Sequence, residues 1–89
     1  MSIAAPRRAD IIGQYRRSEE DSGSPEVQVA LLTERIRHLT EHMRTHRQDY
    51  ASRRGLMVMV GRRTRLLRYL SRTNREAYQN LIKRLGLRK

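Results

Sequence analysis

Residues 21–46 read DSGSPEVQVALLTERIRHLTEHMRTH, and the spacing within them decides the fold. Asp21-Ser22-Gly23-Ser24 is a turn, and a helix starts directly after it. Ser24 is the expected N-cap, because its hydroxyl can accept from one of the unpaired N–H groups of a first helical turn. Pro25 stands at the first helical position, where a missing N–H costs nothing, and Glu26 places negative charge at the positive end of the helix dipole. Beyond them Val29, Leu32, Ile36, Leu39 and Met43 recur at steps of three and four, the stripe that one face of a helix buries. A helix is predicted from Pro25 to about His46, roughly 22 residues and ~33 Å.

Downstream, no Gly or Pro intervenes before Gly55, so only Asp49 and Ser52 offer caps. A tight turn around Arg47–Asp49 and a third helix over about Tyr50–Arg72 are expected. At about 100° per residue, Leu56, Met59, Val60, Leu66, Leu67 and Leu70 share one arc, the core side. Arg62, Arg65, Arg68 and Arg72 gather opposite, with Tyr69 among them. Thr73-Asn74-Arg75-Glu76 reads as a capping box, with Thr73 as cap and Glu76 reaching back. A fourth helix then turns Ala77, Tyr78, Leu81, Ile82 and Leu85 inward, and Gly86-Leu87 reads as a Schellman stop. Upstream, Pro6 to Arg16 forms a weaker helix with Ala9, Ile12 and Tyr15 on one side. Gly13 costs it about 1 kcal/mol, so it is expected to be short and weakly held. The pattern is all-α: one domain over residues 1–89, a long helical hairpin packed by a fourth helix and a short N-terminal one.

Charge narrows the function. The chain has 20 Lys+Arg against 9 Asp+Glu, a formal +11. The excess is concentrated, because Tyr50 to Arg75 holds eight arginines and no acid. A solvated face is better served by mixed signs, so an unbroken positive run points to a polyanion, most often nucleic acid. Tyr69 between arginines is the arrangement that lays a ring on a ribose or base while its hydroxyl makes a hydrogen bond.

Other classes fare worse. The chain has no cysteine, which removes disulfide scaffolds, thiolate nucleophiles and Cys-type zinc sites. No apolar run approaches a membrane span, and no segment reads as a signal peptide, so a cytoplasmic protein is expected. His38, His42 and His46 are spaced by four, which suits a chelate with Glu34 or Glu41, but the H-E-x-x-H order is absent and the surroundings are cationic. No metal or other cofactor is expected. No strained elbow, Gly-rich phosphate loop or carboxylate pair marks an enzyme.

The stretch from Asp21 to Ile36 resembles the opening signature of the bacterial small ribosomal subunit protein fifteen family. The resemblance continues through Leu39-Thr40-Glu41-His42, His46, Asp49 and Ser52-Arg53-Arg54-Gly55-Leu56. Met59 to Arg63, Leu66-Leu67, Tyr69-Leu70 and Leu85 to Arg88 complete it, in register to the end of the chain. It implies a four-helix structural protein that binds the central domain of small-subunit ribosomal RNA early in assembly. It further implies a monomer when free, neighbouring small-subunit proteins as partners, and an intersubunit bridge to large-subunit RNA. Two contact regions carry over by position. At a three-way RNA junction these are Ser22, Gly23, Gln28, Arg65, Tyr69 and Arg72. In the groove of a nearby RNA helix they are His42, His46, Asp49 and Ser52. Arg53, Arg54, Arg62 and Arg68 extend the basic face. Ser22 stands where the family usually has Thr, keeping the hydroxyl but not the methyl, and His38 matches no contact residue.

Charge alone equally permits a small DNA-binding or nucleoid-type protein. A helix-turn-helix, however, needs a short recognition helix after a turn of three or four residues, and a hairpin of two long helices does not supply one.

Overall fold

Ser24 Oγ accepts from Val27 N at 3.3 Å, and Pro25 opens a helix behind it. In this computed structural model, which describes residues 5–16 and 23–87, that helix is the second of four. They are α1 (Ala5–Tyr15), α2 (Pro25–Thr45), α3 (Tyr50–Thr73) and α4 (Arg75–Leu85), and no strand occurs among the described residues. α2 and α3 form an antiparallel hairpin, α1 lies on α2, and α4 packs mainly on α3.

Backbone bonds close the turn at 46–49: His46 N donates to His42 O and Asp49 N to His46 O, both at 3.1 Å. Asp49 caps α3 through Oδ1, which accepts from Ser52 N at 3.1 Å. α4 ends in a Schellman motif, with Gly86 at φ +69° and Leu87 N donating to Ile82 O at 2.9 Å. That left-handed backbone is why a glycine is needed there.

Between α3 and α4 the expected cap is displaced by one residue. Thr73 is the last residue of α3, and its hydroxyl donates to Tyr69 O at 3.0 Å. Asn74 caps α4 instead, its Oδ1 accepting from Ala77 N at 3.1 Å, while its own N–H closes α3 on Leu70 O. Asn competes equally well for the cap. A Thr hydroxyl bonded back into its own helix is no longer available for one.

The buried cluster joins Ile11, Val29, Ala30, Leu67, Leu70, Tyr78, Leu81 and Leu85. Val29 and Ala30 come from the first half of α2 and Leu67 and Leu70 from the second half of α3, and Ile11 of α1 and Tyr78, Leu81 and Leu85 of α4 cover them. The other half is two helices thick, and the expected core side thins out along it. Leu56, Met59 and Met43 are half-buried, and Val60 is 37% exposed. In α1 the buried residue is Ile11, with Ile12 and Tyr15 half-buried and Ala9 exposed. Leu32 is also only half-buried, while Val27, Ala30 and Thr33 join Val29, Ile36 and Leu39 in the buried face of α2. Arg63 turns toward α2, where burial lowers its pKa with Arg37 adding to the effect, and its Nη1 lies 3.4 Å from Thr33 Oγ1.

α1 is docked by polar contacts at both ends. Arg7 meets Glu34 through Nε and Nη2, both at 3.3 Å. Arg84 Nη2 donates to Gln14 O at 3.2 Å, and its guanidinium lies 4.1 Å from the centre of the Tyr15 ring. No helix is long and apolar enough to cross a membrane, among the described residues.

Candidate nucleic-acid interface

The uncovered end of the hairpin carries an organised polar set. Asp49 Oδ2 takes the Ser52 hydroxyl at 2.6 Å and lies 2.9 Å from His42 Nε2, while Oδ1 caps α3. These bonds, Ser52 Oγ first and His42 next, hold the Asp49 carboxyl well below the usual carboxylate range. An ionised carboxylate only accepts, so the proton between the two side chains sits on His42 Nε2. His42 also stacks on His46, with ring centres 4.2 Å apart and planes within 5°. His46 Nδ1 lies 2.8 Å from Thr45 Oγ1, which donates to the His42 carbonyl at 3.2 Å.

The polarity of that network says what it can recognise. Three donors already occupy the two Asp49 oxygens, leaving about one acceptor site of roughly four. Ser52 spends its proton inward on Asp49, which leaves its lone pairs to accept. The end therefore presents acceptors. Guanine amino groups and ribose hydroxyls, the donors of a wide and shallow A-form groove, are complementary to it.

Gln28 to His42 spans fourteen residues of α2, or ~21 Å along its axis. At the far end Gln28 Nε2 donates to Gly23 O at 2.6 Å, which ties the side chain to the turn preceding α2. Gln28 and Arg65 both line a groove of ≈ 490 Å³ between α2 and α3, with Leu32 and Leu66 in its floor. Tyr69 stands one turn beyond Arg65, 49% exposed, with Arg68 and Arg72 also exposed. Ser22 lies outside the described residues.

The remaining expected residues divide. Arg62 joins Arg65 in the groove. Arg53 and Arg54 belong to the uncovered end, where the Arg53 guanidinium lies 5.8 Å from the Tyr50 ring centre and reaches toward the Arg47 carbonyl. His38 pairs with Glu34 at 3.2 Å on the α1 side of α2. No group of three His, Asp or Glu side chains could hold a metal ion, among the described residues. Sequence reasoning missed two groove residues, Arg8 of α1 and Arg35 of α2. The signal for Arg35 was there: it follows Gln28 by seven residues, two turns along the same face.

The chain is similar to known proteins along its whole length. A family model described as Ribosomal protein S15 matches residues 8–88. The chain is 56% identical over 89 residues to the small ribosomal subunit protein uS15 of Corynebacterium kroppenstedtii, covering 100% of each. It is 54% identical, again over 100% of both chains, to the proteins of that name from Mycobacterium sp. (strain KMS) and Halorhodospira halophila.

Proposed function

Because this chain belongs to the ribosomal protein S15 family and is a small-subunit ribosomal protein, we propose that it works as a clamp on ribosomal RNA. One end of the α2–α3 hairpin binds a three-way junction in the central domain of the small-subunit RNA, early in assembly. The other end reads the shallow groove of an adjoining helix. It catalyses nothing; the fixed angle between RNA helices is its product.

The observation that carries this reading is the division of chemistry between the two ends. Gln28, Arg65, Tyr69 and Arg72 offer stacking, phosphate binding and an amide at one end. Asp49 and Ser52, with His42 bonded to the carboxylate, offer oriented acceptors at the other. A single duplex needs no such pair of unlike sites ~21 Å apart, whereas a junction beside a helix does.

In the assembled particle the protein also touches neighbouring small-subunit proteins and large-subunit RNA, as part of an intersubunit bridge. Before assembly it is a cytoplasmic monomer, kept apart from its copies by its charge. Competition between a three-way-junction RNA and duplex DNA at one salt concentration tests the central claim. A clear preference for the junction is expected. Equal affinity would favour the DNA-binding alternative and overturn the clamp.

A further inference from the structure

We propose that the outer face of the first half of α3 is a docking surface for an acidic amphipathic helix of a protein partner, anchored at Tyr50, Met57 and Val58. This surface is separate from the RNA clamp and does not depend on it. At about 100° per residue, Tyr50, Arg54, Met57, Val58 and Gly61 share an arc of about 100°, on the side of α3 away from its core residues. Tyr50 is 66% exposed, Met57 70% and Val58 48%. Together with Arg53 and Arg54 they line a shallow hollow of ≈ 520 Å³.

The residue types choose the partner. A single exposed hydrophobe needs no explanation, but three large ones around one hollow mark a recognition surface. Tyr, Met and Arg are the residues that protein interfaces enrich, and an unbranched Met adapts to the shape laid on it. Arg53 and Arg54 suit a phosphate or a carboxylate equally, so charge alone does not decide. Met57 and Val58 do: a paired RNA helix turns phosphates and riboses outward, whereas a protein brings apolar side chains for them to bury against. Charge then sets the character of that protein. Tyr50 to Arg75 contains no acid, so the polar residues that face it have to be carboxylates.

Gly61 indicates how closely the partner approaches. It follows Met57 by one turn, inside a continuous helix, where glycine is disfavoured against alanine. A Cβ placed on it would meet only the end of the Arg65 side chain, at 3.7 Å, so the fold itself does not call for glycine here. The bare position leaves a notch beside Met57 and Val58. A side-chain ridge of a second helix fits such a notch, since helices pack by setting ridges into grooves. Tyr50 to Gly61 runs for ~16 Å, three turns, which is enough for that contact.

The test uses the full-length protein and two helical peptides of about 20 residues, long enough to hold a helix. One carries leucines at positions i, i+3, i+4 and i+7 with glutamates on the flanks; the other has glutamines in place of the leucines and the same charge. The leucine peptide should bind about tenfold tighter or more, and shift the amide NMR signals of residues 50–61. Met57→Gln and Val58→Thr should each weaken it by roughly threefold to tenfold, with unaltered affinity for a three-way-junction RNA. Gly61→Gln should weaken it too while melting no lower than the unsubstituted protein, a pairing that a merely structural glycine would not give. Equal affinity for the two peptides, or shifts confined to other residues, would overturn the site. RNA affinity that falls in step with peptide affinity would assign the face to RNA instead. A dimer in sedimentation that Met57→Gln disperses would assign it to a second copy, and either result ends the proposal. The peptides are compared without RNA, so failure of the clamp reading leaves this test unaffected.

Discussion

Asp49 Oδ1 caps α3 while Oδ2 orients His42 and Ser52, so a single carboxylate both starts a helix and arranges a recognition surface. Asp49→Asn keeps a competent cap, but turns an amide N–H toward two donors. It should melt below the unsubstituted protein at pH 7 and bind RNA more weakly. The pH dependence has a definite sign, because the folded carboxyl titrates below its ordinary value of 3.8. Its stabilisation is complete above about pH 5 and is lost as pH falls through 3.8 toward the folded value. The gap in melting temperature between the two proteins should therefore be present at pH 5 and close as pH falls below 4. Tyr69 makes the opposite case, a large ring 49% exposed that contributes little to the core. Tyr69→Ala should cost about 1–3 kcal/mol in junction binding with little change in melting temperature. A matched fall in melting temperature at unaltered affinity would make it a packing residue. Tyr69, Arg65 and Arg72 were legible from the helical wheel, whereas the His42–Asp49–Ser52 set was not. A turn brings those three together across a chain reversal, and no periodicity reports that.

Helix boundaries were readable wherever a cap is specified by chemistry that nothing nearby contests. Ser24-Pro25 and Gly86-Leu87 are such places, and both behave as their sequence implies. Thr73 and Asn74 are adjacent cap formers, and the winner depends on whether α3 can extend one residue further. Asn74 closes α3 and opens α4, so Asn74→Ala should cost about 1 kcal/mol, or about 4–8 °C in melting temperature. Thr73→Ala, by contrast, should leave α4 intact. α1 offers a similar lesson in reverse. Its own sequence is a poor helix, yet Ile11 is buried and Arg7 and Arg84 bind it at both ends. Its amides at 8–16 should still exchange faster than those at 30–40 in free protein, because one buried side chain anchors α1 and six anchor α2. Equal protection would show that the polar contacts are stronger than exposed ion pairs usually are.

For the whole molecule, the core stripe of α3 was overestimated because a wheel shows which face is apolar and not how far a cover extends. α1 and α4 cover only half of the hairpin, and Val60, Val58 and Met57 lie on the half they leave open. That division gives the uncovered end little packing of its own, so its shape rests on the turn bonds at 46–49 and on the His42–Asp49–Ser52 set. The covered half has a different consequence, one of timing. Ile11 shares its cluster with Leu81 and Leu85, and Arg84 holds the carbonyl of Gln14, seventy residues earlier. During synthesis at about 5–20 residues per second, the first helix is complete roughly 4–14 s before the last one emerges to receive it. The hairpin, whose contacts are closer in sequence, can form in that interval. Until α4 arrives, α1 can lie on α2 but lacks the Arg84 contact that holds its C-terminal end. The order in which the chain is made thus leaves the end of its first helix as the last piece to settle.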